Sequence, residues 1–395
     1  MKRDDLEDLT VLCHAGLDPA SNHGVVNPPV YHASTILFPT VAELEAGGQA
    51  DLFEHTRYGR IGTPTSRAFE KAVAALEGGS HAVSMPSGLN AIATTLLAFL
   101  RQGDHILVTD SVYGPTRAAC TDLLARFGVE TQFYDPTIGG AIRDLMRPET
   151  KLVFVESPGS LTFEVQDVPA IAEVARKAGA KVVMDNTWAT PLYFKPFRHG
   201  VDVSIHSATK YIVGHSDAML GIVVCGDRED ADLVKKAAVV TGTAAGPDDV
   251  YLGQRGLRSM GVRLQRHWEN GVTLAQWLQG RPEVARVLHP ALHDDPGHAL
   301  WKRDFLGASG LFAVELKPCT KAAVAAMLDG LELFGMGYSW GGFESLALPA
   351  DPRRIRTASR WTADGPLIRF HAGLEDARDL IRDLEAGFRR LADAA

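Results

Sequence analysis

Short apolar runs recur along the first two thirds of the chain, separated by stretches with helical spacing. His81 to Ser84, Asp104 to Thr109, Glu130 to Tyr134, Lys151 to Glu156, Lys181 to Asp185, Val201 to His206 and Ile222 to Cys225 each read as a β-strand. Several are apolar at consecutive positions rather than alternate ones, the mark of strands buried on both faces. Between them, apolar residues recur every three or four positions. Phe69, Val73 and Leu76 define a helix from Thr65 that stops at Gly78-Gly79, and further helices are predicted from Ala91 to Leu100, Thr116 to Phe127 and Asp167 to Ala178. Strands alternating with helices predict an α/β fold, a mostly parallel central sheet covered on both faces. Ligands of such sheets bind at the carboxyl ends of the strands.

The two ends of the chain depart from this rhythm. Residues 1 to about 60 read as an arm: Pro28-Pro29 and Phe38-Pro39 break helices, and no long periodic segment precedes Val41. An arm of this length is expected to lie on a neighbouring subunit. After a break at Gly242 to Pro247, a long helix runs from Asp248 through Leu257, Met260, Leu264, Trp268, Val272 and Leu278. Beyond it, strands at Leu311 to Leu316 and Ser345 to Leu348 and helices at Lys321 to Gly330 and Leu374 to Ala392 predict a smaller α+β layer. With 395 residues the chain exceeds one ordinary core. The expected division is an arm at 1–60, an α/β part at 61–247 and a C-terminal α+β part at 248–395.

Candidate chemistry gathers at the strand ends. The strand ending at His206 leads into Ser207-Ala208-Thr209-Lys210-Tyr211, with one lysine at the tip of a small-residue turn. The strand ending at Asp185 offers a carboxylate. A lysine amine can form a Schiff base with an aldehyde, and a carboxylate can keep a pyridine nitrogen protonated. Together they fit a pyridoxal phosphate site. Ser87-Gly88-Leu89, between a strand and a helix, has the geometry that aims backbone N–H groups at an anion. Tyr113 also follows a strand end, as do Ser207 and Thr209, while Glu156 and Ser157 close another strand without an evident role. Arg369 interrupts the apolar run Leu367 to Gly373, where an unpaired guanidinium is costly and requires an anion.

Asp202, Ser207-Ala208-Thr209-Lys210-Tyr211 and Gly214-His215-Ser216 together resemble the lysine motif of the Cys/Met-metabolism pyridoxal phosphate enzymes. The resemblance runs from about Val11 to the C-terminal helix. It implies the aspartate aminotransferase-like fold (fold type I) and a pyridoxal phosphate-dependent reaction on a small sulfur amino acid. It implies that Lys210 carries the cofactor and moves the Cα proton, with Tyr113 stacked on the ring and Asp185 on its nitrogen. Gly88, Leu89, Ser207 and Thr209 would hold the phosphate, joined by Tyr58 and Arg60 from the other subunit of a dimer, itself paired into a tetramer. Arg369 would grip the substrate α-carboxylate, with Tyr338, Ser339 and Trp340 beside it. The bulky Trp340 in Tyr338-Ser339-Trp340-Gly341-Gly342 resembles the branch that cleaves at Cβ. The expected reaction is therefore α,β-elimination of L-cystathionine, feeding methionine synthesis, with γ-elimination, γ-replacement or a broader cysteine S-conjugate β-lyase activity as alternatives.

Composition narrows the partners. The net charge of −8, from 40 basic and 48 acidic residues, speaks against nucleic acid or an anionic membrane. The charged start, Met1 to Leu9, lacks the apolar core of a secretory signal, and no apolar stretch is long enough to span a bilayer. Cys13, Cys120, Cys225 and Cys319 show no CxxC spacing, which predicts reduced thiols in the cytoplasm and no zinc site. His289, His293 and His298 are expected to be solvated loop side chains rather than metal ligands.

Overall fold

Burial on both faces decides how the strands assemble. The computed structural model describes residues 6–394, apart from the side chain of Gln49. The first five residues of the arm, most of its charged start, and Ala395 thus lie outside the described residues. The first sheet holds β1 (His81–Met85), β2 (His105–Thr109), β3 (Glu130–Tyr134), β4 (Thr150–Glu156), β5 (Lys181–Asp185), β6 (Val203–His206) and β7 (Gly221–Cys225). Their spatial order is β1-β7-β6-β5-β4-β2-β3. Neighbours from β6 across to β3 pair parallel, and β7 runs antiparallel to both β6 and β1. Alternate residues feed opposite cores: Val183 packs with Leu152, Phe154 and Val203 on one face, whereas Val182 and Met184 pack with Val153 and Val155 on the other.

The second sheet is antiparallel, in the order β10 (Leu346–Ala350), β11 (Leu367–His371), β9 (Leu311–Leu316) and β8 (Val284–Leu288). Helices Lys321–Asp329 and Ala377–Asp393 cover one face through Met327, Leu380, Leu384 and Phe388. The 33-residue helix Pro247–Gln279 joins the two sheets. Val250, Leu257, Met260 and Leu264 pack against the first, and Leu274, Ala275 and Leu278 against the second.

Several elements differ from expectation. The helix expected from Ala91 begins at Gly88, because Ser87 Oγ accepts from Asn90 N at 3.1 Å and caps it early. The helix expected from Thr116 to Phe127 is instead Gly114–Ala118 followed by a π-type stretch, Ala119–Leu124. Helices Asp8–His14 and Arg228–Val240 and strand β8 lack a predicted counterpart. The 228–240 helix opens on a charged run that masks its apolar face of Ala231, Val234 and Ala238. His289 is not solvated. It is fully buried, with its ring near Trp188 and Phe312, and burial pushes its imidazole down to about 4. All four cysteines are free. Among the described residues, no group of His, Cys, Asp or Glu can hold a metal ion, and no helix is long and apolar enough to cross a membrane.

Beneath the ends of β5 and β6 lies a sealed polar node. Glu77, at the end of helix Pro64–Glu77, accepts from Asn186 Nδ2 at 2.9 Å, Ser204 Oγ at 2.8 Å and His206 Nε2 at 2.8 Å through one oxygen. Those partners flank Asp185 and the Lys210 turn. Removing the carboxylate takes away the strongest acceptor of Ser204 and His206, while Asn186 keeps its bonds to Thr190 O and Phe194 O. Glu77→Leu is expected to cost about 3–5 kcal/mol of unfolding free energy in urea titration, and Glu77→Gln, which keeps an acceptor, distinctly less.

Candidate active site

The lysine turn is built from three directions. From β5, Thr187 Oγ1 accepts from Ser207 N at 2.9 Å. Within the turn, Lys210 N donates to Ser207 O, and Gly214 N to Lys210 O at 2.8 Å. From the long helix, buried Arg263 donates to Tyr211 O at 2.8 Å, Ile212 O at 3.3 Å and Gly256 O at 2.8 Å. Gly214 has φ of +72°, and a Cβ there would lie 1.9 Å from a guanidinium nitrogen of Arg263. Only glycine fits that position.

Lys210 points from this turn toward the second sheet. Its Nζ donates to Ser339 Oγ at 2.6 Å and lies 5.5 Å from the centroid of the Trp340 ring. Burial, and then the Arg369 guanidinium, push the amine down to about 8, while Asp185 pulls the other way. Ser339 (φ +83°) and Gly341 (φ +90°) are left-handed, and a Cβ on Gly341 would meet the Lys210 carbonyl carbon at 2.9 Å. A non-glycine residue held there costs about 1–3 kcal/mol. Arg369 on β11 donates to Ser339 O at 3.0 Å. Among the described residues no carboxylate lies within ion-pair distance of Arg369.

Asp185 is buried at the end of β5, and its Oδ1 accepts from Thr187 N at 3.0 Å. Burial raises its pKa, and Thr187, His206 and Lys210 oppose the rise. Glu156 ends the neighbouring strand in register with Asp185. Burial, and then Asp185, push the Glu156 carboxyl well above the usual range. Its Oε2 accepts from Tyr113 N at 2.8 Å, so it fixes where Tyr113 leaves β2. The Tyr113 phenol is itself raised by burial, then by Asp185 and Glu156, and remains protonated through neutral pH.

These residues fit pyridoxal phosphate on three observations. The N–H groups of Gly88 and Leu89 open helix Gly88–Phe99, and no acceptor for them is recorded among the described residues. A Cβ at Gly88 would lie 2.6 Å from Ser207 Cβ, so a bare backbone faces the lysine turn. Asp185 supplies a shielded carboxylate in electrostatic reach of the Lys210 amine. A phosphate at the first, a pyridine nitrogen at Asp185 and an aldehyde at Lys210 match this donor set.

The structure brings together Gly88, Tyr113, Asp185, Ser207, Lys210, Ser339, Trp340 and Arg369. It does not bring Tyr58 and Arg60 to them within one chain. Arg60 donates to Val239 O at 2.7 Å and lines a separate cavity of about 320 Å³ with Glu70, Ser84 and Lys235. Tyr58 accepts from Ser34 Oγ at 3.5 Å. The Thr209 hydroxyl is engaged at both ends by Leu220, accepting from N at 2.8 Å and donating to O at 3.1 Å. Tyr338 is 95% exposed. Sequence reasoning passed over Arg263 and left Glu156 without a role. The signals for them were a Gly214 that needed a neighbour and a carboxylate at a strand end.

The model of the family described as Cys/Met metabolism PLP-dependent enzyme matches residues 9–389. A Rhizobium johnstonii protein, provisionally named a cystathionine beta-lyase, is 52% identical over 96% of this chain and 95% of its own length. The cystathionine beta-lyase MetC of Escherichia coli strain K12 is 44% identical over 97% of this chain and 98% of its own. Among solved structures, metB from Corynebacterium glutamicum aligns with a TM-score of 0.89 at 31% identity, over 99% of this chain and 100% of that one. The fold, the site and these similarities agree: the chain belongs to the Cys/Met metabolism family of PLP-dependent enzymes.

Proposed function

We propose that the chain is a carbon–sulfur lyase that converts L-cystathionine and water to homocysteine, pyruvate and ammonia. One observation carries the reading. Ser339 joins the Lys210 amine to an Arg369 guanidinium that has no carboxylate partner among the described residues, so an amine base and an anion grip meet at one residue. The relatives named cystathionine beta-lyase support the choice of substrate, and Trp340 supports cleavage at Cβ.

Bound pyridoxal phosphate supplies an aldehyde that condenses with amines and a protonated ring that draws electron density from Cα. In this reading Gly88, Leu89, Ser207 and Thr209 would hold its phosphate. Asp185 would keep the ring nitrogen protonated and Tyr113 would cover the ring. Arg369 pairs with the substrate α-carboxylate as a planar fork. Lys210, depressed toward neutrality, takes the Cα proton. The Cβ–S bond then breaks with its electron pair on sulfur, and the proton held at Nζ goes to that sulfur. Water supplies the keto oxygen of pyruvate, and ammonia leaves. The working unit in this proposal is a cytoplasmic homo-oligomer, a dimer sharing its sites through Tyr58 and Arg60 and paired into a tetramer, with each chain divided at residues 60 and 247.

Purified enzyme given L-cystathionine is expected to yield pyruvate; oxobutyrate in its place would overturn cleavage at Cβ. Lys210→Ala should lower turnover by roughly 10²–10⁴-fold, the range for a lost general base. Arg369→Leu should lower kcat/KM by roughly 30-fold or more, the cost of an unpaired carboxylate. In the cofactor-free protein, acylation of Lys210 followed by mass spectrometry should have a midpoint near pH 8. Only the neutral amine reacts, so Arg369→Leu should move that midpoint up and Asp185→Asn should move it down.

A further inference from the structure

Two buried histidines behind Trp340 have no part in the chemistry above. His371 lies two residues beyond Arg369 on β11, so the two side chains share a face. Both grip the 339–342 turn, Arg369 at Ser339 O and His371 at Gly341, whose N–H lies 3.1 Å from Nε2. An N–H only donates, so Nε2 of His371 carries a lone pair and the ring proton is on Nδ1. The 3.2 Å approach of Nε2 to Gly342 O is then a contact between two acceptors. His267, on helix Pro247–Gln279, has its ring centroid 5.1 Å from that of His371. Its Nδ1 lies 2.8 Å from Ala372 O. A carbonyl only accepts, so here Nδ1 bears the proton and Nε2 the lone pair.

What is left on the two rings is complementary. His371 Nδ1–H is a buried donor without an acceptor, and His267 Nε2 is a buried acceptor without a donor. Both rings are fully buried, with Tyr211 beside them at 5.0 and 5.8 Å. Burial pushes both imidazoles down, His267 to about 4, so both are neutral while the enzyme works. Unpaired buried polar atoms are costly, and a histidine ring turns easily about its outer torsion.

We propose that His371 and His267 are paired positioning residues: His371 Nδ1–H bonds to His267 Nε2, and the chain from Gly341 N–H to Ala372 O holds Ser339 and Trp340 against Lys210. Without it the turn, strained at Ser339, leaves both the amine and Arg369. The long helix thus fixes the site twice, through Arg263 beneath the lysine turn and through His267 beneath β11. This inference rests on the reading of Lys210, Ser339 and Arg369 as the amino-acid site.

The test reads binding. Glycine has an amine and an α-carboxylate but no leaving group, and its Kd is taken from the change it causes in the visible absorbance of the holoenzyme. His371→Phe, which keeps a ring and removes both nitrogens, should raise Kd about tenfold, as for one lost buried hydrogen bond. His371→Gln, whose amide oxygen reaches the Nε2 position, should stay within about threefold of wild type. His267→Phe should weaken binding in the same direction, and the double Phe variant no further than His371→Phe, because the two act as a unit. Equal Kd values for the Phe and Gln variants at 371, or independent effects that multiply in the double variant, would overturn the pairing. If His371→Phe does not fold, His371→Met takes its place with the same expectations. A wild-type enzyme that binds glycine but makes no pyruvate from cystathionine would sink the lyase reading and leave this one intact.

Discussion

A guanidinium buried with no acid beside it anchors the site. Arg263 spends its donors on Tyr211 O, Ile212 O, Gly256 O and Ser259 Oγ, and three of these are backbone carbonyls. Burial lowers its pKa to about 10, still far above neutrality, so the charge persists. A buried cation is tolerated only when its donors are met, and two of the four groups that meet them here, Tyr211 O and Ile212 O, belong to the turn just after Lys210. The lysine cannot move without stranding that charge. Gly214 follows from the same packing.

Around this anchor the cleft balances unlike charges at close quarters. Arg369 adds to the fall of the Lys210 amine, Asp185 restrains it, and burial and then Asp185 push the Glu156 carboxyl well above the usual range. Adjacent parallel strands make this arrangement hard to avoid. Register places Glu156 beside Asp185, and two carboxyls that close in a dry place do not both ionise readily. Glu156 then has one clear structural duty, its bond to Tyr113 N, which it performs in either charge state.

Much of this was legible in the sequence, for physical reasons that differ by element. Strands β2, β4 and β5 were readable because burial on both faces makes them largely apolar, and the carboxyl ends of β2, β5 and β6 located Tyr113, Asp185 and Lys210. Arg369 was readable because a charge in an apolar strand has to be answered. The helix Arg228–Val240 was not, since it opens on the charged run Arg228-Glu229-Asp230, and β8 was not, since its five residues are interrupted by the exposed Ala285 and Arg286. His267, His371 and Glu77 were invisible for another reason. Their partners lie between 30 and more than 100 positions away, and nothing in local spacing announces a polar pair that only the fold brings together. His289 shows the reverse error, a loop residue whose loop folds back against Trp188.

The helix Pro247–Gln279 has one consequence for motion. It packs in both cores and reaches the lysine turn from one half and β11 from the other. A rigid rod spanning two layers does not bend at its middle, so the second sheet cannot swing open about that point as a door does. The relative movement left to the two layers is a slide along the rod axis, a shear of small amplitude.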